Sequence, residues 1–449
     1  MRSKTILLLG FLVGTLGLTQ TFAQKPSDVR LDEFKLLKAP KEHGRLLKQG
    51  DRLAICGDSI TEQKMYSRLM EDYLTVCEPA LNVTVRQYGW SGERAPGFLA
   101  RMTNDCLRFK PTIATTCYGM NDHEYRAYED RIGQTYRENS TAIVEAFKAN
   151  GVCVILGSAG CVGKNPTWTK HTNDSLMDLN LNLGRLRDID IQIAEKEHVA
   201  FADVFWPMLT AGVAGQKEFD AKYAIAGGDG VHPGWAGHTV MAYAFLKAMG
   251  LNGDIGAFNV DVKKSKMKVS SGHTLVSAKD GEFTIQSSRY PFCACVPDGQ
   301  GAASYPVCEK DNPAKDNSIR SAMALIPFNQ DLNRLTLKAT NVKAGRSYKV
   351  TWGGESKTVT AEQLKRGINL AAEFPCNPFC EAFAKVDAAV AAKQAYETQQ
   401  IKQAFRSREA KTDMEGTAAR TEKEREPLAA AIRAAFVPVT HTIKIAPTD

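Results

Sequence analysis

The sequence lacks the long apolar runs and the basic blocks that mark two large classes of protein. After residue 18, no stretch of the 449 residues is apolar enough to cross a bilayer. Lysine and arginine are spread along the chain without interleaved aromatic clusters, so the net charge of +7 gives little support to nucleic-acid binding. With 43% apolar and 24% charged residues, the composition indicates a globular protein and excludes a collagen, a coiled-coil rod or a disordered chain.

Cysteine is sparse, and its spacing does not indicate a metal site. The chain has 11 cysteines, an odd number, so at least one is free or pairs between chains. Cys56, Cys117 and Cys153 lie in apolar runs and are expected to be buried thiols. The disulfide candidates lie in loop-like C-terminal sequence: Cys293, Cys295, Cys308, Cys376 and Cys380. No pair among these five has the two-residue spacing of a zinc site, and we predict no metal.

Residues 1–23 have the layout of a secretory signal peptide. Two basic residues precede an apolar stretch over residues 6–18, and small residues then suit cleavage after Ala23. About 13 apolar residues are too few to span a hydrocarbon core, which needs roughly 20. We therefore expect an exported protein, periplasmic or extracellular, without a membrane span.

Short apolar runs alternate with amphipathic helical stretches between residues 52 and 249. The strand candidates are residues 53–56, 83–88, 112–117, 152–157 and 199–202. The helical candidates are residues 65–77, 98–109, 136–149, 176–197 and 235–249. Alternation with runs this apolar predicts an α/β fold with a mainly parallel sheet covered on both faces. In such sheets the ligand site lies beyond the carboxyl ends of the strands.

The pattern changes in the C-terminal half. Alternating apolar and polar residues with turn signals over 258–370 predict a small antiparallel β module. Two Ala-, Lys- and Glu-rich stretches then predict helices over 381–411 and 414–436, with Pro427 breaking or kinking the second. Their irregular apolar spacing favours a helical clasp packed on the sheet domain over a coiled coil. The predicted organisation is a signal peptide (1–23), a sheet domain (24–255), a β-rich module (256–372) and a helical tail (373–449).

Polar residues with chemical potential follow the predicted strand ends. The four motifs are Gly57-Asp58-Ser59, Gly89-Trp90-Ser91-Gly92, Gly119-Met120-Asn121-Asp122 and Asp229-Gly230-Val231-His232. Taken singly, each motif is typical of an ordinary helix cap or turn. Together, at successive strand ends, they indicate a site.

These residue types fit nucleophilic catalysis at a carbonyl carbon. A hydroxyl such as that of Ser59 attacks only when a base removes its proton, and the His232 imidazole suits this at neutral pH. Asp229, three residues before the histidine, can fix the imidazole tautomer and stabilise the imidazolium. Donors for the oxyanion are the backbone N–H groups of Ser59 and Gly92 and the amide of Asn121.

The motifs resemble those of the SGNH hydrolases, also called the GDSL esterase/lipase family, over about residues 45–250. The resemblance implies a flavodoxin-like three-layer α/β/α sandwich and ester hydrolysis through an acyl-enzyme on Ser59, without a metal or organic cofactor. It also implies Asp229 and His232 as acid and base, and Ser59, Gly92 and Asn121 as oxyanion donors. Gln87 departs from the family pattern, since many members carry asparagine there.

The predicted partner is a small-molecule or polysaccharide ester. Four side chains near the expected mouth suit contact with a sugar: Trp90, Tyr118, His123 and Trp168. An exported family member with a β module favours a carbohydrate O-acetyl esterase. One alternative is a short-chain lipid or lysophospholipid esterase, and another is a glycan-binding protein whose hydrolase domain is degenerate. The sequence does not indicate the oligomeric state.

Overall fold

The computed structural model describes residues 31–41, 44–169, 173–293 and 318–448. The chain divides into two compact units, Met1–Glu33 and Phe34–Asp449, and the helices and strands given below all lie in the second. The signal peptide predicted over 1–23 lies outside the described residues. No helix among the described residues is both long and apolar enough to cross a membrane.

A parallel sheet with helices on both faces forms the first half of this unit. Its strands are β1 (Arg52–Gly57), β2 (Thr84–Gln87), β3 (Ile113–Cys117), β4 (Cys153–Gly157) and β5 (Ala200–Ala202). The helices are α1 (Ser59–Glu62), α2 (Tyr66–Val76), α3 (Ala95–Asp105), α4 (Asp130–Ala149), α5 (Leu176–Glu197), α6 (Phe205–Glu218) and α7 (Trp235–Ala248). The strand order β2-β1-β3-β4-β5, with every neighbouring pair parallel, is flavodoxin-like. The predicted three-layer α/β/α fold is confirmed.

The apolar runs form strands of this kind because both faces of the sheet are buried. In β1, Leu53 and Ile55 contribute to a core shared with α2 and α7. The alternate residues, Ala54 and Cys56, contribute to a second core shared with α3 and α4. Side chains of a strand alternate between faces, so a strand covered on both sides must be apolar throughout.

Two smaller sheets and a helical segment follow. Their elements are β6 (Asp254–Asp261), β7 (Lys266–Val269), β8 (His273–Lys279), β9 (Glu282–Ser287), α8 (Ile319–Leu325), α9 (Phe328–Asp331), β10 (Arg334–Thr340), β11 (Ser347–Trp352), β12 (Glu355–Thr360), α10 (Ala361–Arg366), β13 (Ile368–Asn369), α11 (Leu370–Glu373), α12 (Cys380–Lys402), α13 (Arg408–Thr412), α14 (Met414–Ala435) and β14 (Val439–Pro447). The sheet orders are β13-β10-β6-β7 and β12-β11-β14-β9-β8. The expectation of a purely antiparallel module is wrong for β6 and β10, which pair in parallel.

The sequence predicted a helical tail over residues 373–449, but this segment is not wholly helical. After α14, strand β14 returns to lie between β9 and β11, and it buries Ile443 and Ile445 in the core of that sheet. Pro427 lies inside α14 and does not end it. Apolar burial against two strands that lie 160 residues (β9) and 91 residues (β11) earlier, counted from Ile443 to its partners Phe283 and Trp352, therefore determines the conformation of this C-terminal end.

Helices α12 and α14 cover the outer edge of the parallel sheet. Strand β2 is an edge strand, and the Val85 carbonyl on it accepts hydrogen bonds from Lys393 and Arg425. Gln87, which departs from the family pattern, donates to the Gln394 carbonyl at 3.3 Å. An open strand edge is a template for unwanted pairing, so the tail also shields this sheet.

The cysteines agree only in part with expectation. Cys376 is disulfide-bonded, whereas Cys293 and Cys380 are free thiols, which corrects the prediction for these two. Burial raises the pKa of the Cys293 thiol well above its ordinary value, with a further contribution from the Cys380 thiol. The other two candidates, Cys295 and Cys308, lie outside the described residues.

Candidate active site

Ser59 lies at the carboxyl end of β1, on the first residue of α1. The Asp58 carboxylate caps this helix by accepting a hydrogen bond from the Ile60 N–H at 2.9 Å. Ser59 is therefore held on a strand-to-helix turn, and its half-buried side chain lies beyond the carboxyl end of β1. This is the position that the order of strands predicts for a ligand site.

Ser59, His232 and Asp229 form a hydrogen-bonded line. Ser59 Oγ lies 2.9 Å from His232 Nε2, and His232 Nδ1 lies 2.7 Å from Asp229 Oδ2. With its proton on Nδ1, the imidazole donates to Asp229 and accepts from the serine hydroxyl. This tautomer leaves Nε2 free to take a proton from Ser59.

The Asp229 carboxylate is fixed and stays ionised. Its Oδ1 accepts hydrogen bonds from the backbone N–H groups of Val231 and His232, each at 2.9 Å. Burial raises the pKa of Asp229, but these two N–H groups and the His232 ring outweigh burial, so the pKa lies below its usual value. Asp229 is therefore a lasting negative charge beside the imidazole.

The loop that carries these two residues is closed tightly on itself. Gly227 has a φ of +84°, and a Cβ there would lie 1.8 Å from the His232 carbonyl oxygen. Only glycine fits such a position. The Gly163 N–H also donates to the Gly230 carbonyl at 2.8 Å, which ties the loop after β4 to the acid–base loop.

Gly92 and Asn121 lie on the loops after β2 and β3. Gly92 adopts a φ of +74°, which glycine reaches at no steric cost. The Asn121 amide is oriented at both ends: its Nδ2 donates to the Glu93 carbonyl at 3.0 Å, and its Oδ1 accepts from the Tyr125 hydroxyl at 3.0 Å. The sequence analysis missed Tyr125, because residues 121–125 form turns and no helical spacing relates position 125 to Asn121.

The expected substrate-lining residues fall into two groups. The Trp168 side chain is 49% exposed, and its ring lies 6.0 Å from the His232 ring, so it borders the triad. Trp90 is half-buried beside the Gly92 loop. Tyr118 and His123 are only 3% and 0% exposed. Substrate contact therefore does not fit these last two, because their side chains pack beneath the loops.

Two buried carboxylates support the loops around Ser59. Asp58 is almost completely buried, and burial raises its pKa from 3.8 to about 7. Asp122 joins two loops by accepting from the Ala95 and Gly119 N–H groups, each at 2.9 Å, and burial raises its pKa to about 6. In the described part of the chain, no three His, Cys, Asp or Glu side chains are grouped to hold a metal ion.

The raised pKa of Asp58 makes stability depend on pH. The folded protein keeps a proton on Asp58 up to about pH 7, whereas the unfolded chain loses it near pH 4. Stability should therefore fall as pH rises between these values. Replacing Asp58 with Asn removes this dependence, so the free energy of unfolding of the variant should rise relative to the wild type between pH 4 and 7, by at most about 4 kcal/mol. Urea denaturation across this range measures the difference.

Asp58→Ser is the matched control, because serine also caps a helix and carries no charge. It should reproduce the pH dependence of Asp58→Asn. Asp122 is present in all three proteins and cancels in the comparison. Parallel pH profiles for the wild type and both variants would contradict this account of Asp58.

Comparison with known proteins finds one family model and several solved structures that are similar to this chain. The model of the GDSL-like Lipase/Acylhydrolase family matches residues 55–240. A solved structure described as BT4096, a gut microbial diltiazem-metabolizing enzyme, is 21% identical, with a TM-score of 0.69 over 90% of this chain and 99% of its own. Axe2, an acetylxylan esterase from Geobacillus stearothermophilus, is 23% identical, with a TM-score of 0.37 over 46% of this chain and 96% of its own. A search of curated proteins finds no match.

The similarity to the gut microbial enzyme extends through the C-terminal sheets and helices, since it covers most of both chains. It shows a shared fold for nearly the whole unit. The family match covers the segment that carries Ser59, Gly92, Asn121, Asp229 and His232. Residues 55–240 therefore match the GDSL-like lipase/acylhydrolase family, as the sequence motifs predicted, and the protein is a carboxylic ester hydrolase.

Proposed function

We propose that the protein is an exported serine esterase that removes acetyl groups from a carbohydrate. The observation that carries this proposal is the hydrogen-bonded line from Ser59 through His232 to Asp229. The exposed Trp168 ring beside the histidine supports a sugar as the alcohol part of the ester. Indole rings present an apolar face with a polar edge, which suits the faces of sugar rings.

Catalysis begins when Ser59 Oγ attacks the ester carbonyl carbon and His232 Nε2 takes the hydroxyl proton. The new oxyanion accepts hydrogen bonds from the N–H groups of Ser59 and Gly92 and from the Asn121 amide. Collapse of this intermediate breaks the bond to the alcohol, which leaves with the proton from His232. Water then attacks the acyl-enzyme, gives a proton to His232, and the acid is released as Ser59 regains its proton. Asp229 stabilises the imidazolium in both halves.

The intact, hydrogen-bonded triad disfavours a degenerate hydrolase domain that only binds glycan. A short-chain lipid or lysophospholipid ester is the remaining alternative as substrate. The carbohydrate esterase and the lipid esterase hypotheses differ in the acyl chain and in the alcohol that the site accepts. Comparing p-nitrophenyl acetate with the octanoate, and acetylated xylan with a lysophospholipid, separates them. Preference for the acetate and for acetylated xylan supports the proposal, and preference for octanoate and lysophospholipid overturns it.

Trp168 gives a sharper test of the sugar. Trp168→Ala should lower kcat/KM for acetylated xylo-oligosaccharides by about 3- to 10-fold, because an aromatic contact of this kind contributes about 0.5–1.5 kcal/mol. The same variant should hydrolyse p-nitrophenyl acetate almost normally, since that ester presents no sugar ring.

Leu176→Ala is the matched control, because Leu176 is also an exposed apolar residue, at the start of α5. This variant should hydrolyse both substrates with the kcat/KM of the wild type. A Trp168→Ala enzyme that retains the full preference for acetylated oligosaccharide would count against the sugar contact.

Export is part of the proposal and rests on the leader-like residues 1–23. The disulfide at Cys376 supports it, because such bonds persist in oxidising compartments. Amino-terminal sequencing of protein recovered from outside the cytoplasm should begin after Ala23. Recovery only from the cytoplasm, with these residues still attached, would oppose export.

A further inference from the structure

The end of α12 and the turn after it contact the loop that carries Gly92. Lys402 ends α12, and Arg406 lies on the short turn that follows. The Lys402 ammonium and the Arg406 guanidinium each lie 5.1 Å from the centre of the Trp90 ring. Cations at this distance from an indole are attracted to its face. Two positive groups from a segment more than 300 residues away thus contact this loop.

Lys402 reaches the loop through Glu62, the last residue of the helix that begins with Ser59. Lys402 Nζ lies 2.7 Å and 2.9 Å from the two Glu62 carboxylate oxygens. The same carboxylate accepts a hydrogen bond from the Ser91 backbone N–H. Glu62 therefore links the nucleophile helix to the residue before Gly92, and Lys402 holds Glu62 in that position.

Arg406 reaches the other side of the same loop. It donates to both oxygens of the buried Asp105 carboxylate, at 2.9 Å and 2.6 Å. Asp105 accepts from Arg101 at 3.3 Å, and Arg101 forms a two-pronged ion pair with Glu93 at 2.7 Å. The Glu93 carbonyl in turn accepts from the Asn121 amide. This series of contacts thus connects Arg406 to Glu93, the residue after Gly92, and through Glu93 to the oxyanion donor Asn121.

The contacts from Lys402 reach the loop at residue 91, and the contacts from Arg406 reach it at residue 93. They therefore lie on either side of Gly92. We propose that Lys402 and Arg406 are positioning residues, which hold the Gly92 N–H and the Asn121 amide where the oxyanion forms. This inference rests on the proposed function, in which these groups stabilise the oxyanion. The tail would then be a working part of the active site, as well as a cover for the sheet edge.

Lys402→Met keeps the apolar stem and removes the charge, so Glu62 loses its anchor. Loss of one oxyanion donor costs about 10²–10³ in kcat, and loosening a donor indirectly should cost less, about 10-fold. We expect this decrease in kcat for p-nitrophenyl acetate with KM nearly unchanged, because the oxyanion forms only after binding. Arg406→Met should also lower kcat and leave KM nearly unchanged.

Lys402→Arg should restore most of kcat, because arginine also pairs with a carboxylate. The control is Lys385→Met on the same helix, where Lys385 pairs with the exposed Glu381 and lies 17 residues before Lys402. It should retain wild-type kcat. Unfolding temperatures of all variants show whether a loss of rate reflects loss of fold.

Salt provides a second readout that a merely structural tail would not produce. The Lys402–Glu62 pair is partly exposed, at 28% and 18% of its side chains, so salt should weaken it. Raising NaCl from about 0.05 to about 0.5 M should lower kcat of the wild type and leave the Lys402→Met, Arg406→Met double variant unchanged.

The outcomes separate this inference from the function that it rests on. A folded wild type without any hydrolysis of p-nitrophenyl acetate refutes both. A wild type that hydrolyses the ester and variants that lower only the unfolding temperature, with kcat and its salt dependence intact, refute the positioning role alone. A selective fall in kcat, rescued by arginine, supports it.

Discussion

Replacing Ser59 with alanine is expected to lower kcat for p-nitrophenyl acetate by about 10³- to 10⁶-fold, as in other enzymes that use a serine nucleophile. The hydroxyl oxygen 2.9 Å from His232 Nε2 is the atom that forms the bond to the acyl group. Without it, only the oxyanion donors and substrate binding remain to assist attack by water. Steady-state rates measured on folded protein test this result.

The control is Ser356→Ala, which removes an exposed hydroxyl from β12 on the C-terminal sheet. That variant should retain the wild-type rate. Near-normal turnover by a purified Ser59→Ala protein, free of wild-type contamination, would exclude Ser59 as the nucleophile.

Replacing Asp229 with asparagine should lower kcat by about 10³- to 10⁴-fold, by analogy with the same change in other triads. The asparagine Oδ1 can still accept the two backbone N–H groups, so its Nδ2 must face His232 Nδ1. An NH₂ group there stabilises the tautomer that carries its proton on Nε2. That imidazole cannot accept the proton of Ser59.

A double variant shows whether the two substitutions lower kcat through the same mechanism or independently of each other. If Asp229 acts only through His232 on Ser59, then Ser59→Ala combined with Asp229→Asn should be no slower than Ser59→Ala alone. An Asp229→Asn enzyme within tenfold of the wild type, or a double variant in which the losses multiply, would contradict the assigned role.

Local signals made the first half of the fold predictable. Helix α5 extends over Leu176–Glu197 as predicted, because Ser175 and Asp178 form a capping box at its start and its buried residues recur at helical spacing. Strands such as β1 and β4 were found because both faces of the sheet are buried there, which makes their sequences almost wholly apolar.

Contacts between distant segments were not predictable in the same way. Strand β14 has the alternation of a strand, but the helix-rich sequence before it suggested a continued tail, and its partners β9 and β11 lie far away in the sequence. Pro427 was expected to break or kink α14, and the helix is not broken there. The parallel pairing of β6 with β10 likewise depends on tertiary packing and has no short-range signature.

The site residues also divide into those that local motifs predicted and those that depend on distant contacts. The geometry brings Ser59, Asp229 and His232 together as the motifs predicted, because strand ends of a parallel sheet meet at one edge. Tyr118 and His123 were expected to line the substrate because they lie near the expected mouth of the site, but both side chains are buried. Glu62, Tyr125 and Lys402 were missed, since their importance comes from the partners that they hold.

Covalent labelling tests the central claim most directly. A p-nitrophenyl alkylphosphonate should release one equivalent of p-nitrophenol per active protein, abolish esterase activity, and leave the phosphonyl group on the peptide that contains Ser59. Peptide mapping by mass spectrometry locates the label. Loss of activity with the label on another residue, or full esterase activity in protein labelled stoichiometrically at Ser59, would contradict a mechanism that proceeds through this serine.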